Sequence, residues 1–122
     1  MKVFNNLEEM NQYYNEETNT YEFIENGNLI DVKIDFGLNI ECNINAGDIK
    51  AHDIKARNIN ARDIDAGNIK AHNINANNIR YNSVCCAESK FICNSIKGTR
   101  KNSKYFCLDS DVVIKGDKKN VK

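Results

Sequence analysis

Two histidines and five cysteines are the side chains of this 122-residue chain with the means to hold a metal ion or act as nucleophiles. His52 and His72 lie in the matching triplets Ala51-His52-Asp53 and Ala71-His72-Asn73. Stacked one above the other, their imidazoles would come within bridging distance of a single metal ion. Metal sites ordinarily take more ligands than two, and no third accompanies this pair, so the histidines are expected on one solvated face without bound metal. The cysteines Cys42, Cys85, Cys86, Cys93 and Cys107 fit no two-pair zinc spacing. They are read as packing residues. No glycine-rich phosphate loop, nucleophile elbow or acid–base pair is present, and the expectation is a protein that is not an enzyme and needs no cofactor.

Charge offers a second kind of chemistry. The chain carries 17 basic and 17 acidic side chains, for a formal net charge of zero, yet they are segregated. Residues 1–43 hold two basic and nine acidic side chains, residues 44–84 six and four, and residues 85–122 nine and four. An elongated fold would keep the acidic and basic ends apart and make the molecule a dipole. Two candidate partner-binding surfaces follow. One is acidic: Glu8, Glu9, Glu16, Glu17, Glu22 and Glu25. The other mixes cations with aromatics, as surfaces for nucleic acid or anionic protein do: Lys97, Arg100, Lys101, Lys104 and Tyr105, beside Phe106.

What positions these groups is a repeat. Isoleucine returns every fifth residue at Ile44, Ile49, Ile54, Ile59, Ile64, Ile69, Ile74 and Ile79, followed by Val84. An alanine stands two residues after each of the first seven, from Ala46 to Ala76. A period of five matches neither the helical 3.6 nor the strand period of two, so the chain must turn a corner every five residues. Within a unit, residues two apart on an extended segment point the same way; Ile and Ala therefore both face inward. Asp or Asn before each Ile, as at Asp48, Asp53, Asn58, Asp63, Asn68, Asn73 and Asn78, suits a corner because these short side chains bond their own nearby backbone.

With these residues the chain resembles the pentapeptide-repeat family, over about residues 44–98. The resemblance implies an all-β fold, a right-handed quadrilateral β-helix. Here Ile precedes Ala, the reverse of the family's usual small-then-large order. On four sides a coil takes twenty residues, and Gly47 with Gly67, Lys50 with Lys70, and His52 with His72 then fall one coil apart, giving about two and three-quarter coils at the strand spacing of about 4.8 Å. Continued strictly, the five-residue count puts Tyr81, Cys86, Phe91 and Ile96 in the alanine column and Val84, Ser89 and Asn94 in the isoleucine column, so that large and small trade places. Cys86 is then inward, and Cys85 is outward and the candidate reactive thiol.

A bare solenoid end is an unpaired strand edge, so caps are expected. Residues 1–43 read as an acidic N-terminal cap. Leu7, Met10 and Tyr14 lie on one face of a short helix, Asn6 and Glu9 have capping-box spacing, and Asn26-Gly27 signals a type I′ hairpin. Residues 44–98 form the β-helix. Residues 99–122 form a short basic β cap and tail, frayed over 115–122.

The start lacks the apolar run of a signal peptide, and no stretch approaches the roughly 18 apolar residues of a membrane span; a cytoplasmic protein is expected. The chain is also similar to small pentapeptide-repeat proteins of Firmicutes and gut phages, which implies a phage or mobile-element origin and action in the host cytoplasm. The function this implies is non-enzymatic: a protein-binding solenoid that inhibits a host nucleic-acid-handling machine such as a CRISPR effector. Its partner would be a host protein, favoured over nucleic acid itself. The alternatives are an assembly module forming homodimers or larger homo-oligomers, and a DNA-mimic topoisomerase-binding protein.

Overall fold

The computed structural model describes residues 1–116. Its N-terminal part comprises β1 (Lys2–Phe4), a 3-10 helix (Leu7–Tyr13), β2 (Tyr14–Asn15), β3 (Thr20–Glu22), β4 (Ile24–Glu25), β5 (Asn28–Leu29), β6 (Val32–Ile34) and β7 (Leu38–Asn39). Through the repeats run β8 (Asn43–Asn45), β9 (Ile49–Ala51), β10 (Ile54–Lys55), β11 (Asn58–Asn60), β12 (Asp63–Ala66), β13 (Ile69–Asn75) and β14 (Asn78–Tyr81). The chain closes with β15 (Val84–Cys93), β16 (Ser95–Gly98), β17 (Lys104–Cys107) and β18 (Val112–Ile114). Stacked parallel coils make a β-solenoid of about five turns.

The register fixes the coil length. Ile44 pairs with Ile59 and Ile59 with Ile74; Ile49 pairs with Ile64 and Ile64 with Ile79; Ile54 pairs with Ile69. Each step is three units of five, so the coil has three sides and not the expected four. Gly47/Gly67, Lys50/Lys70 and His52/His72 are not neighbours: Lys50 pairs with Asp65 and Lys55 with Lys70. The reason is physical. Inward positions look alike at every multiple of five and cannot distinguish fifteen from twenty, while the outward residues used to choose twenty are not held by stacking.

The first face is the sheet β1-β6-β9-β12-β14-β16, parallel throughout. The second carries β7, β10, the first part of β13, the first part of β15, and β17. The third carries β3, β8, β11, the later parts of β13 and β15, and β18, with β2 antiparallel on β3. The eight isoleucines from Ile44 to Ile79 are each at most 3% exposed, and burial of such a side chain contributes about 1.5–3 kcal/mol.

The Asx residues before the isoleucines join one coil to the next; they do not close their own turn. Asn58 Nδ2 donates to Asn43 Oδ1 at 2.9 Å and Asn73 Nδ2 to Asn58 Oδ1 at 2.7 Å, forming an amide column. Its last oxygen accepts the Lys90 N–H at 3.0 Å. At the other corners Asp31, Asp53 and Asp63 accept the backbone N–H of Asp48, Asn68 and Asn78, again one coil on. Each corner carbonyl or carboxylate thus meets a donor, the condition for part-buried polar groups to stabilise a fold.

Two single-residue insertions alter the columns after Tyr81. Ala66 pairs with Tyr81, fifteen residues on, but Ile69 pairs with Cys85, sixteen on, and Ile74 with Phe91, seventeen on. The second insertion is a bulge opposite Ala71 to Asn73. Cys85, Phe91 and Ile96 therefore continue the isoleucine column, and Ala87, Cys93 and Gly98 the alanine column. Large and small do not trade places. Val84 falls at a corner, where its N–H donates to Asn68 Oδ1, and is only half-buried instead of sitting in the core. The facing of the adjacent cysteines is also reversed: Cys85 is fully buried and Cys86 points outward beside Lys70 and Phe106.

The N-terminal end of the interior is plugged by aromatics. At the N-terminus the 3-10 helix lays Met10 and Tyr13 over the core, and the Phe4, Tyr13 and Phe23 rings pack with centroids 5.3–5.7 Å apart. Its packing face is Met10 and Tyr13, because Leu7 and Tyr14 are exposed. Asn6 Oδ1 accepts the Glu9 N–H at 3.1 Å, as capping requires, while Glu9 accepts from Asn5. Asn26 and Gly27 both have positive φ, 53° and 78°, as a type I′ turn joining β4 to β5 demands. Near the other end Tyr81 occupies an alanine position, and Gly98 in the next coil makes room: a Cβ there would lie 2.9 Å from the Tyr81 ring.

Candidate functional site

The acidic candidates separate into three groups. Glu8 and Glu9 are exposed on the first turn of the 3-10 helix. Glu25 is engaged within the cap: it accepts the Tyr13 hydroxyl hydrogen and meets Lys2 Nζ at 3.5 Å, and the Tyr13 hydroxyl, then Lys2, hold its carboxyl below the usual range. Glu16, Glu17 and Glu22 converge on one open hollow of about 860 Å³ that also touches Tyr14 and Ile24. Glu22 is set by hydrogen bonds from Asn15 Nδ2 at 2.9 Å and Thr18 Oγ1 at 3.2 Å. Glu16 and Glu17 are exposed in the turn between β2 and β3.

The basic candidates do not form one patch. Lys97 lies on the first face, paired with Arg80, whereas Arg100 and Lys101 stand in the following turn and Lys104 opens β17 on the second face. Tyr105 is not a free stacking platform. Its ring packs edge-on to Tyr81 and tilted to Phe91, each at 6.5 Å, leaving it 40% exposed. Lys104 Nζ sits 5.8 Å from the Phe106 ring centre.

Sequence reasoning missed a charged row along the first face. The outward residues of β6, β9, β12, β14 and β16 are Lys33, Lys50, Asp65, Arg80 and Lys97, each beside the next. Lys50, Asp65, Arg80 and Lys97 border a groove of about 420 Å³ whose lining also includes Asp48 and Asp63. Spacings of fifteen and seventeen held the signal. At the neighbouring corner Arg62 ties coils together, donating to Asp48 Oδ1 at 2.9 Å and Asp31 Oδ1 at 2.8 Å; the Asp48 N–H, then Arg62, hold the Asp31 carboxyl below its ordinary range.

The histidines lie at different corners. His52 Nε2 approaches Asp35 Oδ1 at 3.1 Å and His72 Nδ1 approaches Glu88 Oε2 at 3.5 Å. The coil neighbours of the two backbones are Gly67 and Arg57, so the expected histidine stack does not form. Among the described residues, no group of three or more His, Cys, Asp or Glu is arranged to hold a metal ion, and no helix is long and apolar enough to cross a membrane.

The thiols can be sorted by facing. Burial pushes the Cys93 thiol up to about 11, raises Cys85 further still and also raises Cys86, which like Cys42 and Cys107 is half-buried. Because a reagent must reach the sulfur, native protein should release a chromogenic disulfide reagent's product from the half-buried Cys42, Cys86 and Cys107. Cys85 and Cys93 should react only after denaturation. Mass mapping that found Cys85 labelled ahead of Cys86 would overturn the register after Tyr81.

No family model, curated protein or solved structure matches the chain.

Proposed function

We propose that the chain is a non-catalytic binding rod whose acidic cap occupies a basic groove on a protein partner. The observation that carries this reading is the convergence of Glu16, Glu17 and Glu22 on one hollow beside the exposed Tyr14 and Ile24. Carboxylates there supply steering, and an aromatic with an apolar neighbour supplies contact area. Asn15 and Thr18 hold Glu22 in place, so its side chain loses little conformational entropy on docking.

In the specific form that the pentapeptide-repeat resemblance implies, the partner is a host nucleic-acid-handling machine such as a CRISPR effector. Such a groove is basic because it binds phosphates. The chain would then be a phage or mobile-element product acting in the host cytoplasm. Mimicry of DNA along the whole rod, as in a topoisomerase-binding relative, is disfavoured by the cations Lys33, Lys50, Arg80 and Lys97 on the first face.

Affinity capture from a bacterial host lysate tests this with two variants, Glu16→Lys with Glu17→Lys and Arg100→Glu with Lys101→Glu. The partner should be lost with the first pair and kept with the second. With the partner purified, the first pair should slow association by about ten-fold or more, and salt should weaken the wild-type complex steeply. A partner retained by the first pair sinks the proposal. Tight, salt-sensitive binding of the isolated protein to DNA or RNA, lost on the Arg100 and Lys101 reversals, would put a nucleic-acid-binding protein in its place.

A further inference from the structure

The two ends of the rod differ in how their strand edges are finished. At the C-terminal end β16 pairs only with β14, and β17 and β18 only with β15, so among the described residues all three faces end in an open edge. The interior is cut open there. Ile96, Cys107, Val112 and Ile114 are half-buried and Tyr105 is 40% exposed, whereas the residues one coil earlier in the same columns, Ile79, Cys85, Ala87, Phe91 and Cys93, are at most 3% exposed. Leu108 and Val113 add exposed apolar surface. An open, apolar edge of this kind invites another chain to pair with it.

We infer that the C-terminal end receives the N-terminal end of a second copy of this chain, so that the rods stack head to tail. The basis is complementarity at both levels. The C-terminal apolar edge is rimmed by the exposed cations Lys97, Arg100, Lys101, Lys104 and Lys115, which outnumber the exposed carboxylates Asp109 and Asp111 beside them. The N-terminal end presents exposed Val3, Leu7 and Tyr14, the outer edge of β1, which pairs only with β6, and the exposed carboxylates Glu8, Glu16 and Glu17. Two C-terminal ends brought together would set cations against cations, and two N-terminal ends carboxylates against carboxylates. Only the head-to-tail contact joins ends of opposite net charge, and being heterologous it continues from copy to copy without closing unless the rotation returns on itself. The contact would cover the acidic cap, so assembly and the proposed partner would compete for it. The inference itself does not depend on that partner.

Sedimentation velocity on the isolated full-length protein tests it. Wild-type mass should rise with concentration at low salt and fall toward monomer as salt screens the ends. A cap-reversed variant (Glu8→Lys, Glu16→Lys, Glu17→Lys) and a tail-reversed variant (Arg100→Glu, Lys101→Glu, Lys104→Glu) should each be monomeric, because each carries like charges at both ends. These are exposed positions, and circular dichroism would verify the fold. Mixed in equal amounts, the two variants should associate, since each then offers the other an unlike end. Wild-type protein that stays monomeric at low salt up to about 1 mM overturns the inference. So does association that either variant retains alone, or a mixture that stays monomeric.

Discussion

Replacing Ile64 by aspartate is expected to abolish folding. Ile64 is 1% exposed and lies on β12 between Ile49 and Ile79 of the adjacent coils. Aspartate would lose the transfer free energy of the isoleucine, about 1.5–3 kcal/mol, and place a carboxyl among aliphatic groups with no donor to receive it. That burial costs at least several kcal/mol more, whether the group stays ionised or takes up a proton. Against a total stability of roughly 5–15 kcal/mol, the sum exceeds what a single-core chain of this size withstands. The damage would not stay in one coil, because each repeat is stabilised chiefly by its immediate neighbours. The adjacent outward residue is the control: Asp65→Ala should shift stability by no more than about 0.5 kcal/mol. Circular dichroism melts and one-dimensional NMR decide. A soluble Ile64→Asp protein that melts cooperatively would refute the core assignment.

Phe91→Ala should be the next most damaging change, costing about 3–5 kcal/mol. Phe91 is 1% exposed in the isoleucine column, paired with Ile74 on one side and Val112 on the other, and its ring meets Tyr105. Parallel sheets hold the backbone on both sides of this site, so the cavity left by the ring would collapse little, and uncollapsed cavities are the costly ones. Cys86→Ala, at the position a strict count of five would bury, should cost less than about 1 kcal/mol because that side chain points outward. Urea unfolding of the two variants with equal slopes gives the comparison directly. Near-equal midpoints for Phe91→Ala and wild type would show that the register after Tyr81 is misplaced.

The functional surfaces were legible in part. The acidic residues of the first 25 positions are on the surface as their composition implies, but nothing in one dimension shows that Glu16, Glu17 and Glu22 share a hollow while Glu25 is tied to Tyr13 and Lys2. The basic cluster looked continuous because its members are close in sequence; a corner and a loop place them on two faces. Lys33, Lys50, Asp65, Arg80 and Lys97 looked unrelated because each is fifteen or seventeen residues from the next, the spacing that makes them neighbours. A histidine pair at twenty residues was attractive for the converse reason, and the fold separates it.

By itself the sequence determined that this chain winds into a β-solenoid, which residues face its interior from Ile44 to Tyr81, and where one hairpin turn falls. Those properties are local. An Ile and an Ala two apart on an extended segment must share a side, a period of five must bring a corner, and Asn26-Gly27 supplies the two positive φ angles of its turn. Tertiary structure alone decided how many sides make a coil, because that depends on how many Ile–Ala pairs fill one cross-section and on which Asx side chains meet across coils. Asn43, Asn58 and Asn73 bond only at a spacing of fifteen. It also decided where the period slips. A one-residue bulge scarcely alters local chemistry but turns each following side chain to the other face until a second corrects it, and this is why Cys85 lies in the core and Cys86 does not.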